Sequence, residues 1–102
     1  MSNMETTSIK RLKIQNNILC LLPLLDGVHA LATVDGSHQI WKVNLETGEM
    51  KIYCGGEKGK DDGKPDTVTF NLPWGLAMKS DGSVVVADSS NHLIREISPC
   101  GK

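Results

Sequence analysis

At 102 residues with a net charge of −1, the chain has the length of one domain and no global bias toward nucleic acid or anionic lipid. Hydrophobic content is an ordinary 39%, but only four aromatic residues, Trp41, Tyr53, Phe70 and Trp74, are available to fill a core. Cys20, Cys54 and Cys100 cannot all pair with one another and none has Cys-x-x-Cys spacing, which reads as reduced thiols in a cytoplasmic protein.

The predicted elements are all strands. A strand-like stretch near Ile9–Ile14 comes first, with Ile9, Leu12 and Ile14 among Lys10, Arg11 and Lys13. The apolar run Ile18–Leu25 follows those basic residues, and Ala30-Leu31-Ala32 resembles a small-residue cleavage site, so a signal peptide has to be weighed. Pro23 interrupts the run, the leader before it is long and polar, and cleavage would cut through the next strand. The run is also far short of the ~20 residues a helix needs to span a bilayer. It reads as a strand. Four strands are expected at Leu19–Leu25, Ala30–Val34, Gln39–Leu45 and Glu49–Cys54. Asp26-Gly27, Asp35-Gly36 and Thr47-Gly48 supply the turns, because glycine and aspartate tolerate the backbone angles that turns demand.

Gly55–Asp66, dense in glycine and charge, is a loop. Three more strands are expected at Gly75–Lys79, Ser83–Ala87 and Leu93–Ser98. Ser80-Asp81-Gly82 makes the first hairpin between them, Asp88-Ser89-Ser90-Asn91 breaks the second, and Pro99 ends the last strand for want of an N–H. Leu21-Leu22 and Val84-Val85-Val86 suggest continuous burial. Ile94 and Ile97 among polar neighbours suggest a half-buried strand.

The two groups of strands repeat. Aligning His38 with His92 sets an offset of 92 − 38 = 54 residues, at which Leu31 meets Val85, Ala32 meets Val86, Ile40 meets Ile94 and Val43 meets Ile97. Recurrence at a fixed period marks a repeat architecture.

Asn91-His92-Leu93 and the turns around it resemble the NHL repeat, named for that triplet. Gly55, Gly59, Asp62, Gly63, Phe70, Pro73 and Gly75 match the subclass joined by a Gly-x-x-x-Gly-x-x-Asp-Gly linker and an Ala-x-Phe-x-x-Pro-x-Gly stretch, with Val68 in place of the alanine. The resemblance implies an all-β, NHL-type β-propeller, incomplete, of about two four-stranded antiparallel blades. Residues 1–17 would be an N-terminal segment available as a strand of an adjoining blade, 18–56 the first blade, 57–72 the inter-blade loop, and 73–102 a second blade lacking its outer strand. Propellers normally close with about 4–8 blades, so a larger propeller or assembly is expected, with self-association through open blade edges. Asp81, Gly82, Asp88, Asn91, His92, Ile94, His38, Ile40, Pro73 and Gly75 are expected to be repeat-structural.

In a meander the turns alternate between two ends, which puts the loop Gly55–Leu72 beside the turns near Asp35–His38 and Asp88–His92. Loops at one end of a rigid scaffold are where binding usually resides. The candidate binding residues are Lys58, Lys60, Asp62, Lys64, Asn91 and His92, with proteins or peptides as partners.

Catalytic and metal chemistry find little support. Zinc wants three or four convergent ligands, and His38 with His92 are better explained as repeat residues; no metal or cofactor is expected. Asp61-Asp62-Gly63 lacks the alternating oxygens of a calcium loop, and Lys60 is followed by Asp61 where a Walker loop has Ser or Thr. No Gly-x-Ser-x-Gly elbow is present. The chain therefore reads as a non-enzymatic interaction module. The alternatives are a fragment of a propeller lyase or lactonase-like hydrolase, since some propeller enzymes resemble NHL repeats, and an RNA-binding NHL surface. Against RNA, the loop-face lysines are offset by Glu57, Asp61, Asp62 and Asp66. No membrane partner is expected.

Overall fold

The computed structural model describes residues 8–9 and 11–98; the readings made of Lys10, Pro99 and Cys100 lie outside them. Seven strands form two antiparallel meanders. The first sheet runs β1 (Ile18–Pro23), β2 (His29–Val34), β3 (Ile40–Asn44) and β4 (Met50–Cys54), in the order β1-β2-β3-β4. The second runs β5 (Pro73–Met78), β6 (Val84–Asp88) and β7 (Leu93–Ile97), in the order β5-β6-β7. Among the described residues there is no α-helix; one 3-10 turn, Ser89–Asn91, connects β6 to β7.

Turn chemistry sets the hairpins. Asp26 Oδ1 accepts from the N–H groups of Val28 (2.8 Å) and His29 (2.9 Å), and Asp81 Oδ1 accepts from Ser83 N–H at 2.9 Å. Asn44 Oδ1 does the same for Glu46 and Thr47, at 2.8 and 3.1 Å. These side chains satisfy turn donors that no ladder reaches.

The repeat is a repeat of register. In β2–β3, Ala30 opposes Val43, Leu31 opposes Lys42, Ala32 opposes Trp41 and Thr33 opposes Ile40. In β6–β7, Val84 opposes Ile97, Val85 opposes Glu96, Val86 opposes Arg95 and Ala87 opposes Ile94. Every one of these second-sheet residues is its counterpart plus 54. The inner strands are shifted by one more: Leu21 pairs with Ala32 and Leu76 with Val86, so 76 − 21 = 55. The cause is hairpin length. Pro23 pairs with Ala30 across the first hairpin and Met78 with Val84 across the second, separations of seven and six residues.

Period-2 alternation assigns each residue to a face. Leu31, Thr33, Ile40 and Cys54 share one face of the first sheet and are buried. That face packs on the second-sheet face bearing Val84, Val86, Asp88, Arg95 and Ile97, with Phe70 in the same core. Fully burying residues such as Leu31, Ile40 and Val86 contributes about 1.5–3 kcal/mol each. The Thr33 hydroxyl donates to the Trp74 carbonyl at 2.6 Å, a hydrogen bond between the sheets.

Three expectations need correction. Continuous burial belongs to β2, where Ala30–Val34 are all buried, and not to the inner strand β1, where Leu21 is exposed. β2 is covered on both faces and paired on both edges, whereas β1 has one edge unpaired. Ile94 points outward while Arg95 points into the core, because Ile94 and Ile97 are an odd number of residues apart and cannot share a face. Finally, residues 11–17 form no strand. The Asn17 carbonyl accepts from Asp35 N–H (2.9 Å), one step beyond the Ile18–Val34 pair, and the residues before it lie beside Trp41, with Lys13 against Gly48 in the β3–β4 turn. The segment thus crosses a face of the first sheet and does not extend an edge.

Candidate functional site

The loop between the sheets is folded. Lys58 and Phe70 form a parallel bridge, Gly56 and Gly59 donate to the carbonyls of Val68 (2.9 Å) and Phe70 (2.8 Å), and Thr69 donates to Asp61 (3.0 Å). The Thr69 hydroxyl accepts in turn from Asp61 N–H at 2.7 Å. A turn-rich linker was the expectation for this stretch; its backbone bonds make it a structured element.

Arg95 holds this loop to the second sheet. Its guanidinium donates to Asp88 Oδ2 (2.8 Å), to Asp62 Oδ1 (2.9 Å), and to the carbonyls of Thr69 (2.9 Å) and Asp61 (3.0 Å). Its Cζ lies 5.1 Å from the Phe70 ring centroid. Asp88 is fully buried and accepts from Asn71 N–H (2.7 Å) and from the Asn91 amide (2.7 Å). The Asn91 amide also donates to the Gly59 carbonyl at 2.7 Å. Among the described residues no buried side-chain N or O lacks a partner. A buried charge pair is tolerable only when satisfied in this way.

The other end of the loop is tied to the first sheet. The Gln39 amide donates to Gly56 O at 2.7 Å, and His38 Nδ1 accepts from Leu72 N–H at 3.2 Å. His92, the counterpart of His38, acts through its backbone: it adopts the left-handed conformation (φ 57, ψ 41) and closes the 3-10 turn by donating to Ser89 O. Two histidines in equivalent places thus do different work. His29 has Nδ1 2.7 Å from Asp26 Oδ2. Those bonds hold the Asp26 carboxyl far below the usual aspartate range, chiefly the backbone donors of His29 and Val28.

The six candidate binding residues therefore separate by environment. Lys58, Lys60, Lys64 and His92 are exposed on the loop face. Asp62 and Asn91 turn part of their hydrogen-bonding capacity inward, to Arg95 and to Asp88 and Gly59. Leu72, Trp74 and Leu93 are exposed at the same end of the second sheet. Sequence reasoning missed Arg95. Its signal was alternation, since a residue between Ile94 and Ile97 that opposes Val86 must face the core. Burial pushes the Cys54 thiol up to about 11. Among the described residues no group of three His, Cys, Asp or Glu side chains is placed to hold a metal.

Two meanders stacked face to face, with their register repeated 54 residues apart, are successive blades of a β-propeller. Residues 70–97 match the model of the NHL repeat, and the chain is an NHL-repeat chain whose first sheet is the earlier copy of the same unit. It is similar to E3 ubiquitin-protein ligase TRIM71 of Mus musculus, 41% identical over 94 residues, covering 82% of this chain and 10% of that protein. The Xenopus tropicalis TRIM71 is 30% identical over 89 residues, covering 78% and 10%. NHL repeat-containing protein 2 of Gallus gallus is 38% identical over 68 residues, covering 66% and 9%. The chain spans about a tenth of the length of these curated relatives.

Proposed function

We propose that this chain is a non-catalytic interaction module that binds a protein or peptide on the loop face formed by residues 55–72 and 88–92. The observation that carries this reading is the anchoring of the loop by Arg95 and Asp88. A surface ordered before binding loses little conformational freedom when a partner arrives. On it, Lys58, Lys60 and Lys64 offer charge, and Leu72, Trp74 and Leu93 at its edge offer apolar contact. A cytoplasmic setting fits the free, unpaired Cys20 and Cys54. Among the described residues no helix is long and apolar enough to cross a membrane.

The test is to pan a displayed random-peptide library against the full chain and measure the affinity of resynthesised hits. The reading expects enriched peptides whose binding weakens at least about tenfold, ~1.4 kcal/mol, in the Lys58→Glu/Lys60→Glu/Lys64→Glu variant. No enrichment, or binding untouched by these changes, would count against it. Stoichiometric zinc or calcium in the purified protein would favour the enzyme-fragment alternative.

A further inference from the structure

Resting on the loop-face reading above, we infer that Asp62 is a displaceable cover on Arg95, and that an acidic side chain of the bound peptide takes its place on the guanidinium. The two sides of that guanidinium differ. Nη1 points into the fold, where it donates to the fully buried Asp88 (2.8 Å) and to the Thr69 carbonyl (2.9 Å). Nε and Nη2 form the other side, where both donate to Asp62 Oδ1, at 3.2 and 2.9 Å. The Asp62 side chain is 95% exposed and that of Arg95 is 7% exposed. This one carboxylate therefore stands between the guanidinium and solvent.

Asp62 fills its side of the fork incompletely. Parallel N–H groups of an arginine match the two oxygens of one carboxylate, but here a single oxygen serves both, and the Nε bond is long for a charge-assisted contact. Arg95 does not need Asp62 for neutrality, because Asp88 already supplies a buried carboxylate. The loop does not need it for attachment either, since the carbonyls of Asp61 (3.0 Å) and Thr69 are held by the same guanidinium. Within residues 55–72, Lys58, Lys60 and Lys64 match Glu57, Asp61 and Asp66 one for one, which leaves Asp62 as the surplus carboxylate. Exchanging it for another carboxylate keeps the charge at Arg95 unchanged.

A tethered carboxylate acts at an effective concentration in the millimolar range. A lone small anion must outcompete it unaided, whereas a peptide that also contacts Lys58, Lys60 or Trp74 has further contacts to draw on. Asp62 thereby selects for ligands that place an acid beside other matching groups. Its removal has the opposite sign from the loss of an anchor: the loop stays attached and acid binding strengthens.

The experiment follows the Arg95 Nε–H signal by heteronuclear NMR in the full chain and in its Asp62→Ala variant, titrated with sodium acetate at constant ionic strength. The expected result is half-saturation at a concentration at least about tenfold lower in the variant. The amides of Gly59, Thr69 and Asn71, bonded within the fold, should stay as protected from exchange as in the parent. Where Asp62→Ala does not fold, Asp62→Asn, neutral and of the same size, replaces it with the same expectation. An Arg95 signal indifferent to acetate in the folded variant, or loss of protection at those amides, would overturn the inference. Peptides selected on the loop face supply a second arm. They should carry Asp or Glu and bind the variant about tenfold more tightly than the parent, a gain lost when the peptide's acid is changed to its amide. Peptides without an acid, or with equal affinity for parent and variant, would overturn the exchange and leave the loop-face reading standing. Failure to select any peptide counts against that reading alone, since acetate still decides the exchange.

Discussion

Ile40 and Ile94 occupy the same register position in successive blades, each opposite a second-strand residue 54 apart from its counterpart, yet Ile40 is completely buried and Ile94 is 74% exposed. The difference is positional. Ile40 faces the next blade, and Ile94 faces the place of a further one. Ile40→Ala should therefore cost about 2–5 kcal/mol through lost burial and a cavity. Ile94→Ala should fall within about 0.5 kcal/mol of the parent. Urea denaturation of the two variants side by side measures the contrast.

Arg95 and Asp88 are the second pair to probe. With side chains 7% and 0% exposed and 2.8 Å apart, neither can lose its partner and be rescued by water. Arg95→Met should destabilise by about 3–5 kcal/mol, because it leaves the Asp88 carboxylate buried beside only neutral donors. Arg95→Lys should recover part of this, since an ammonium supplies charge but not a planar fork. Midpoints of chemical denaturation decide it.

Gly55 is held at φ 104, and a Cβ there would lie 3.0 Å from Gln39 Cα and 3.1 Å from His38 O and the Phe70 ring. Gly55→Ala combines a strained backbone with crowding against backbone atoms that cannot swing aside. A loss of about 2–4 kcal/mol is expected, read as a fall in thermal midpoint with the β-sheet spectrum retained below it.

The strands and turns were legible because their signals are local: Asp-Gly pairs at the hairpins and valine-rich runs between them. The register was legible from His38 and His92 because repeats in one chain keep the same spacing. What escaped was decided by distance in space. Arg95 looks like a solvated residue in an exposed strand until the loop carrying Asp62 and Thr69 is folded over it. Residues 9–14 look like a strand because Ile9, Leu12 and Ile14 alternate in part with basic residues, but the described residues of that stretch form no strand and the segment after it runs beside Trp41 and Gly48. The loop-face binding residues were chosen from composition and meander geometry. Composition could not separate Lys58, Lys60 and Lys64 from Asp62 and Asn91, whose side chains are partly engaged within the fold.

Acid sensitivity supplies a further prediction. The carboxyls of Asp26 and Asp81 are lowered by hydrogen bonds from turn N–H groups. A group whose folded value is depressed contributes stability that is full above its unfolded value, about 3.9, and is lost as the pH falls toward the folded value. The protein should therefore weaken on acidification below about pH 4. Asp26→Asn keeps an oxygen acceptor in the turn but removes the titration. Its thermal midpoint should fall less steeply with acid than the parent's, and an unchanged slope would contradict the assignment.

The central claim is that the loop between the blades is a pre-ordered platform anchored by Arg95. Amide hydrogen exchange followed by NMR tests it most directly. In the parent, the N–H groups of Gly56, Gly59, Thr69 and Asn71, each bonded within the fold, should be protected well beyond an unstructured peptide. In Arg95→Met, under conditions where the sheets remain folded, protection should fall at Gly59, Thr69 and Asn71 while β2 amides stay slow. Loop amides that exchange at unstructured rates in the parent, or that ignore the loss of Arg95, would contradict the account.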